Sequence, residues 1–105
     1  LRARLDAEFV GRSHFATQEE LAEQFHISGR HFSRLMQQSY GMSYTEKVNE
    51  VRCNFAKEML ENSDVPISEV CARSCFQSYA YFGRVFKQLN GMSPSEYRKA
   101  NRKKD

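Results

Sequence analysis

The sequence predicts an all-α protein, and three observations carry that expectation. Two stretches, Ser28–Ser43 (SGRHFSRLMQQSYGMS) and Ser78–Ser93 (SYAYFGRVFKQLNGMS), repeat one another. Without gaps they share Ser28/Ser78, Phe32/Phe82, Arg34/Arg84, Gln38/Gln88, Gly41/Gly91, Met42/Met92 and Ser43/Ser93. In each copy one face recurs at helical spacing and is mostly apolar: Phe32, Leu35, Met36 and Ser39 fall on one side of the first copy, and Phe82, Val85, Phe86 and Leu89 on that of the second. Finally, Thr17-Gln18-Glu19-Glu20, Ser43-Tyr44-Thr45-Glu46 and Ser93-Pro94-Ser95-Glu96 are capping-box sequences, and no stretch alternates as a strand does.

Taken in order, Leu1, Leu5 and Phe9 predict a short first helix, and Gly11–Ala16 a connector. Thr17 starts a helix over Gln18 to about Phe25 with Leu21, Ala22 and Phe25 inward. His26-Ile27-Ser28 is a turn, and Ser28 caps the first long amphipathic helix, which Gly41 ends. Ser43 opens a helix to about Asn62, with Val48, Val51, Phe55 and Met59 as its apolar stripe. Asn62-Ser63-Asp64-Val65-Pro66 breaks it, because proline cannot continue a helix. Ile67–Ser74 is the next short helix, with Val70 and Cys71 standing where Leu21 and Ala22 stood. Cys75-Phe76-Gln77 is the turn, Ser78 the cap of the second long helix, and Asn90-Gly91 its end. Pro94, at a favoured first position, begins a last short helix that buries Tyr97.

A chain of 105 residues holds one domain, or two small subdomains around a shared element. Residues 1–42 and 63–105 are expected to be those subdomains, and 43–62 the linker helix between them. No apolar run is long enough to span a membrane, and no signal peptide is visible. The chain opens on Leu1 rather than Met and is expected to be part of a longer protein. Cys53, Cys71 and Cys75, an unpaired number, suit a reducing cytoplasm better than a disulfide scaffold. A net charge of +3 says little about partners. Its distribution says more: Arg98, Lys99, Arg102, Lys103 and Lys104 crowd the C-terminus, either as a solvated end or as a phosphate-attracting tail.

A short helix, a tight turn and a longer helix with an apolar back and an Arg-bearing front form a helix-turn-helix. Two such units lie on either side of a helix about as long as one turn of B-DNA (about 34 Å). That arrangement would let one chain present two recognition helices, Ser28–Tyr40 and Ser78–Asn90, to adjacent major-groove segments of double-stranded DNA.

The stretch Pro66-Ile67-Ser68-Glu69-Val70, then Phe76-Gln77-Ser78, Tyr81-Phe82-Gly83-Arg84-Val85-Phe86-Lys87 and Gly91-Met92-Ser93-Pro94-Ser95-Glu96-Tyr97-Arg98, resembles the DNA-binding domain of AraC/XylS-type bacterial transcription regulators. The resemblance covers about Phe15 to Ala100. It implies seven helices in two helix-turn-helix units and a preceding domain that senses a ligand or dimerises. It also implies transcriptional activation through contact with RNA polymerase. Two features depart from the pattern. Cys75 stands where the family commonly has Gly, and Ala80 and Gly83 are bare for a base-reading face.

The candidate base contacts are Arg30, Ser33, Arg34 and Gln37 in the first unit and Tyr79, Ala80, Gly83 and Arg84 in the second. Arg34 and Arg84 suit bidentate contact with guanine, Gln37 suits adenine, and Ala80 a thymine methyl. Ser28, His31, Lys47, Ser78, Lys87 and Arg98 are candidate phosphate contacts. Arg30, Ser33, Gln37 and His31 are equally at home on a solvated helix face, and the alternative for Arg34 and Arg84 is a surface pairing with a nearby glutamate or a phosphate. Ser28 and Ser78 are helix caps first, and Gly83 is explained by close backbone approach to a ligand or by tight packing on a neighbouring helix. Cys71 and Cys75 are expected to be structural, since two thiols do not complete a zinc site. No cofactor is expected, and no nucleophile elbow, phosphate loop or paired-carboxylate arrangement suggests an enzyme. The alternative, a helical protein-interaction module, requires apolar front faces; these are polar.

Overall fold

The computed structural model describes residues 1–103 and contains seven helices among them: α1 (Arg2–Glu8), α2 (Gln18–Gln24), α3 (Gly29–Tyr40), α4 (Tyr44–Asn62), α5 (Ile67–Arg73), α6 (Tyr79–Asn90) and α7 (Pro94–Asn101). Lys104, grouped above with the basic tail, lies outside the described residues. The boundaries follow from local chemistry. The Thr17, Ser28, Ser78 and Ser93 side chains each accept a hydrogen bond from a backbone N–H of the first turn that follows. This satisfies a donor that a helix start otherwise leaves open. Around α4 and α7 the box is reciprocal: Glu46 accepts from the Ser43 N–H at 3.0 Å and Glu96 from the Ser93 N–H at 2.9 Å. Around α2 it differs from expectation, for the Glu20 carboxylate accepts from the Thr17 hydroxyl at 3.1 Å. Both long amphipathic helices end in glycines in the left-handed region, Gly41 at φ 68° and Gly91 at φ 77°.

The chain divides into two compact units, Leu1–Val48 and the remainder from Asn49, so α4 begins in the first and continues in the second. The first unit buries Leu5, Phe9, Leu21, Ala22, Phe25, Phe32, Met36, Tyr44 and Val48. Aromatic edges hold this core: Phe9 meets Tyr40 at 5.5 Å and Phe32 meets Tyr44 at 5.6 Å, both nearly perpendicular. Tyr44 also donates its hydroxyl to the Ala16 carbonyl at 2.6 Å, pinning the connector before α2. The second unit packs Cys53, Ala56, Leu60, Val70, Cys71, Phe76, Phe82, Val85 and Phe86, with Met59, Tyr81 and Tyr97 against them.

Three apolar assignments change. Leu1 is half exposed, so α1 buries only Leu5 and its C-cap Phe9. Leu89 remains 51% exposed although its spacing put it on the buried face of α6. On α4 the second unit takes Cys53, Ala56 and Leu60 into its core, while Val51 and Phe55 are only half-buried. The two stripes sit about a third of a turn apart on a 3.6-residue helix. Cys53 and Ala56, both small, and Leu60 share that core with the bulky Phe76, Phe82 and Phe86.

The basic C-terminus is only in part a solvated tail: Lys99 and Lys103 are exposed, whereas Arg98 and Arg102 are half-buried against the protein. Arg98 donates to the Leu60 carbonyl at 3.3 Å and the Val65 carbonyl at 2.7 Å. Arg102 pairs with Asp64 at 2.9 Å, and Lys103 pairs with Glu61 at 3.6 Å. These contacts cap the end of α4 and the turn after it, whose last carbonyls need donors.

Candidate nucleic-acid interface

Each unit builds the same turn from different residues. After α2 the His26 N–H bonds the Glu23 carbonyl and the Ile27 N–H bonds the Ala22 carbonyl, both at 3.0 Å. After α5 the Cys75 N–H bonds the Ala72 carbonyl at 3.0 Å and the Phe76 N–H bonds the Cys71 carbonyl at 3.1 Å. This is the paired closure of a Schellman motif, which places one residue in the left-handed region. Here that residue is His26 at φ 58° and Cys75 at φ 64°, neither a glycine. Cys75 thus keeps the conformation that glycine would adopt more cheaply. His26 holds the equivalent place, a feature its sequence position alone did not reveal. The Cys71 thiol adds long contacts to the Phe76 carbonyl at 3.7 Å and the Ser78 carbonyl at 3.8 Å. Burial pushes the Cys71 thiol pKa up, keeping it neutral and inert. Among the described residues no group of three or more His, Cys, Asp or Glu side chains could hold a metal ion.

The turn aims each long helix so that Phe32 and Met36, or Phe82, Val85 and Phe86, enter their own core. The opposite face is thereby left in solvent. On α3, Arg30, His31, Ser33, Arg34 and Gln37 are all exposed. Ser33 accepts from the Gln18 side chain at 3.1 Å, which ties the start of α2 to the face of α3. On α6, Tyr79 is 56% exposed, Ala80, Arg84 and Lys87 are exposed, and Gly83 is half-buried. A Cβ built on Gly83 meets nothing within 4 Å, so packing against a neighbouring helix does not explain that glycine.

The candidate phosphate contacts separate into three groups. Ser28 and Ser78 spend their side-chain oxygens on the N–H groups of His31 and Tyr81, at 3.0 and 3.1 Å. His31 and Lys87 are exposed. Lys47 and Arg98 are both half-buried and turned to the protein. The Lys47 ammonium lies 4.8 Å from the Tyr40 ring and 5.6 Å from Phe9, a cation–π position. Arg98 is committed to the carbonyls described above, and its Nη2 is buried without a hydrogen-bond partner among the described residues.

Two residues beside the α6 face, Tyr81 and Asn49, have no site role in the sequence reading. The Arg84 guanidinium carbon lies 5.3 Å from the Tyr81 ring centroid, and the Tyr81 hydroxyl accepts from the Asn49 side chain at 2.8 Å. The i, i+3 spacing of Tyr81 and Arg84 was the available signal. Asn49 lies 32 positions away and had none.

Comparison with known proteins agrees with this geometry. A family model described as a helix-turn-helix domain matches residues 21–100. The HTH-type transcriptional regulator YfiF of Bacillus subtilis is 42% identical over 79 residues, 75% of this chain and 25% of that protein. The transcriptional activator RhaR of Yersinia pseudotuberculosis is 36% identical over 66% of this chain and 24% of its own length. The chain therefore spans about a quarter of the length of these two relatives. Among solved structures, the C-terminal domain of the response regulator AraT from Geobacillus stearothermophilus superposes with a TM-score of 0.82 at 29% identity, covering 99% of this chain and 84% of that one. The DNA-binding domain of AdpA, a global transcriptional factor solved with a target DNA, gives 0.84 at 28% identity, covering 94% and 90%. The matched span, the doubled turn and these neighbours lead to one conclusion: the chain belongs to the AraC-type helix-turn-helix family.

Proposed function

We propose that this chain is the sequence-specific, double-stranded DNA-binding domain of a bacterial transcription regulator, with α3 and α6 as recognition helices in adjacent major-groove segments. The observation that carries this reading is the duplicated turn, which twice leaves a polar helix face with an arginine at the same position, Arg34 and Arg84, open to solvent. A helix of this kind fits the major groove, where guanine offers O6 and N7 to an arginine fork. The AdpA domain, solved on its target DNA, supports the reading as a relative of the same fold.

Arg30, Ser33, Arg34 and Gln37 on α3 and Tyr79, Ala80, Gly83 and Arg84 on α6 face the bases. His31 and Lys87 meet phosphates, and the N-termini capped by Ser28 and Ser78 offer backbone N–H groups to others. Lys47, held over the Tyr40 ring by a contact that does not occupy its N–H donors, stays a phosphate candidate, whereas Arg98 leaves this set because its guanidinium is spent on the Leu60 and Val65 carbonyls. In the parent regulator a further domain dimerises or senses an effector, RNA polymerase is contacted at the promoter, and the protein works in the cytoplasm.

Titration of labelled duplexes at several salt concentrations tests the reading. Log affinity should fall against log salt with a slope of about 0.9 for each phosphate neutralised. Arg34→Ala and Arg84→Ala should each reduce discrimination between preferred and random duplexes by about 1–3 kcal/mol while affinity for random DNA changes little. Equal weakening on every sequence would reassign those arginines to phosphate, and equal affinity of the parent chain for all duplexes would defeat sequence-specific reading.

A further inference from the structure

The repeat places Arg34 and Arg84 at matching positions, yet their surroundings differ. Three residues before Arg84 stands Tyr81; three before Arg34 stands His31. The Tyr81 ring is half-buried, packs against the core of its unit and lies 6.3 Å from Phe76 in a tilted arrangement. Its hydroxyl is held from the other side by the Asn49 amide of α4 at 2.8 Å. A ring fixed at both ends is a rigid shelf, and the Arg84 guanidinium lies over it at 5.3 Å. His31 is exposed, and among the described residues no aromatic ring lies beside Arg34 as Tyr81 lies beside Arg84.

We propose that Asn49 and Tyr81 are positioning residues for Arg84, holding its guanidinium in the orientation with which it reads a guanine. This inference rests on the DNA-reading function proposed above. A cation–π contact holds a guanidinium through its charge and does not occupy its N–H donors, so Arg84 is steadied without losing the fork that recognises O6 and N7. An arginine otherwise surrenders considerable rotamer freedom on binding, and a side chain already held near its bound orientation surrenders less. Arg34, exposed and without such a shelf among the described residues, is not steadied in this way. The second helix, whose face is bare at Ala80 and Gly83, thereby concentrates its reading in one preset side chain. The first spreads it over Arg30, Arg34 and Gln37.

The test uses the 105-residue chain with Tyr81→Phe, Tyr81→Leu, Asn49→Ala and Arg84→Ala. Binding is measured to the preferred duplex and to duplexes in which each guanine is replaced by 7-deazaguanine, which lacks the N7 acceptor. Arg84→Ala locates the guanine that Arg84 reads. At that guanine, Tyr81→Leu should lower discrimination about two- to fivefold, with Asn49→Ala and Tyr81→Phe lying between it and the parent. Discrimination at the guanines read by α3 and the salt slope should stay at parent values.

In the DNA-free protein the Arg84 Nε–H resonance should carry the ring-current shift of Tyr81 and lose it in Tyr81→Leu. Circular dichroism and melting of each variant separate misfolding from misplacement. Parent-like discrimination in folded Tyr81→Leu would overturn the inference and leave the DNA-reading function standing. Absence of the ring-current shift would overturn it whether or not the chain prefers any duplex. A parent chain with no preferred duplex would instead fail the proposed function, a separate result.

Discussion

His26 and Cys75 each occupy a left-handed backbone position that costs a residue with a Cβ about 1–2 kcal/mol. Replacing either with glycine returns most of that cost, less the extra entropy of a freer unfolded chain. His26→Gly and Cys75→Gly should therefore each raise stability by about 0.5–1 kcal/mol, visible as a higher midpoint in thermal melts. Gly83 behaves in the opposite sense. Nothing stands within 4 Å of its missing Cβ, so Gly83→Ala should stabilise α6 by about 1 kcal/mol. The same added methyl should weaken binding to the preferred duplex if the backbone of α6 approaches the bases. The departure at Cys75 was legible through the family resemblance, in which glycine commonly holds that place. His26 was not, since histidine in a turn carries no mark of its backbone angle; only the match of its turn to that of Cys75 exposes it.

At the scale of elements, α7 is fastened to the end of α4 by side chains that a sequence reads first as a basic tail. Arg98 supplies the deepest of these bonds, and its removal strands the Leu60 and Val65 carbonyls. Arg98→Ala should cost about 2 kcal/mol in denaturant unfolding while leaving the salt slope of DNA binding unchanged. Tyr97 adds a pH-dependent bond to Glu61. Burial, and then that bond, raise the Tyr97 pKa from 10 to about 12, so the contribution is whole below pH 10 and is lost as pH climbs towards 12. On the acid side the Tyr97 hydroxyl, followed by the Lys103 charge, holds the Glu61 carboxyl below its ordinary 4.5. That contribution is present above pH 4.5 and disappears as pH falls through the lower folded value. Melting across this range should show both limbs in the parent and shallower ones in Tyr97→Phe. The long helix α4 shows where patterning falls short. Its 19 residues carry apolar side chains on more than one face. Counting Val, Phe and Met ranks the wrong face first for the second unit, whose core takes Cys53, Ala56 and Leu60.

Over the whole molecule, the repeat was the most legible feature. Identical residues at matching positions specify the same caps, the same glycine stops and the same division into an apolar back and a polar front, so seven helices and two turns follow from local signals. The faces offered to solvent were legible for the same reason: a residue opposite Phe32 or Phe82 on a helix must point away from that core. Partnerships between distant residues, such as Asn49 with Tyr81 or Arg98 with Val65, have no period and no local composition to betray them.

The central claim is that two recognition helices in one chain each read bases, and selection of bound duplexes from a random library tests it most directly. Two enriched sequence blocks are expected about 10.5 base pairs apart, centre to centre, with guanine enriched in both and Arg84→Ala weakening preference in one block alone. Recovery of a single block, or of no enriched sequence, would contradict it.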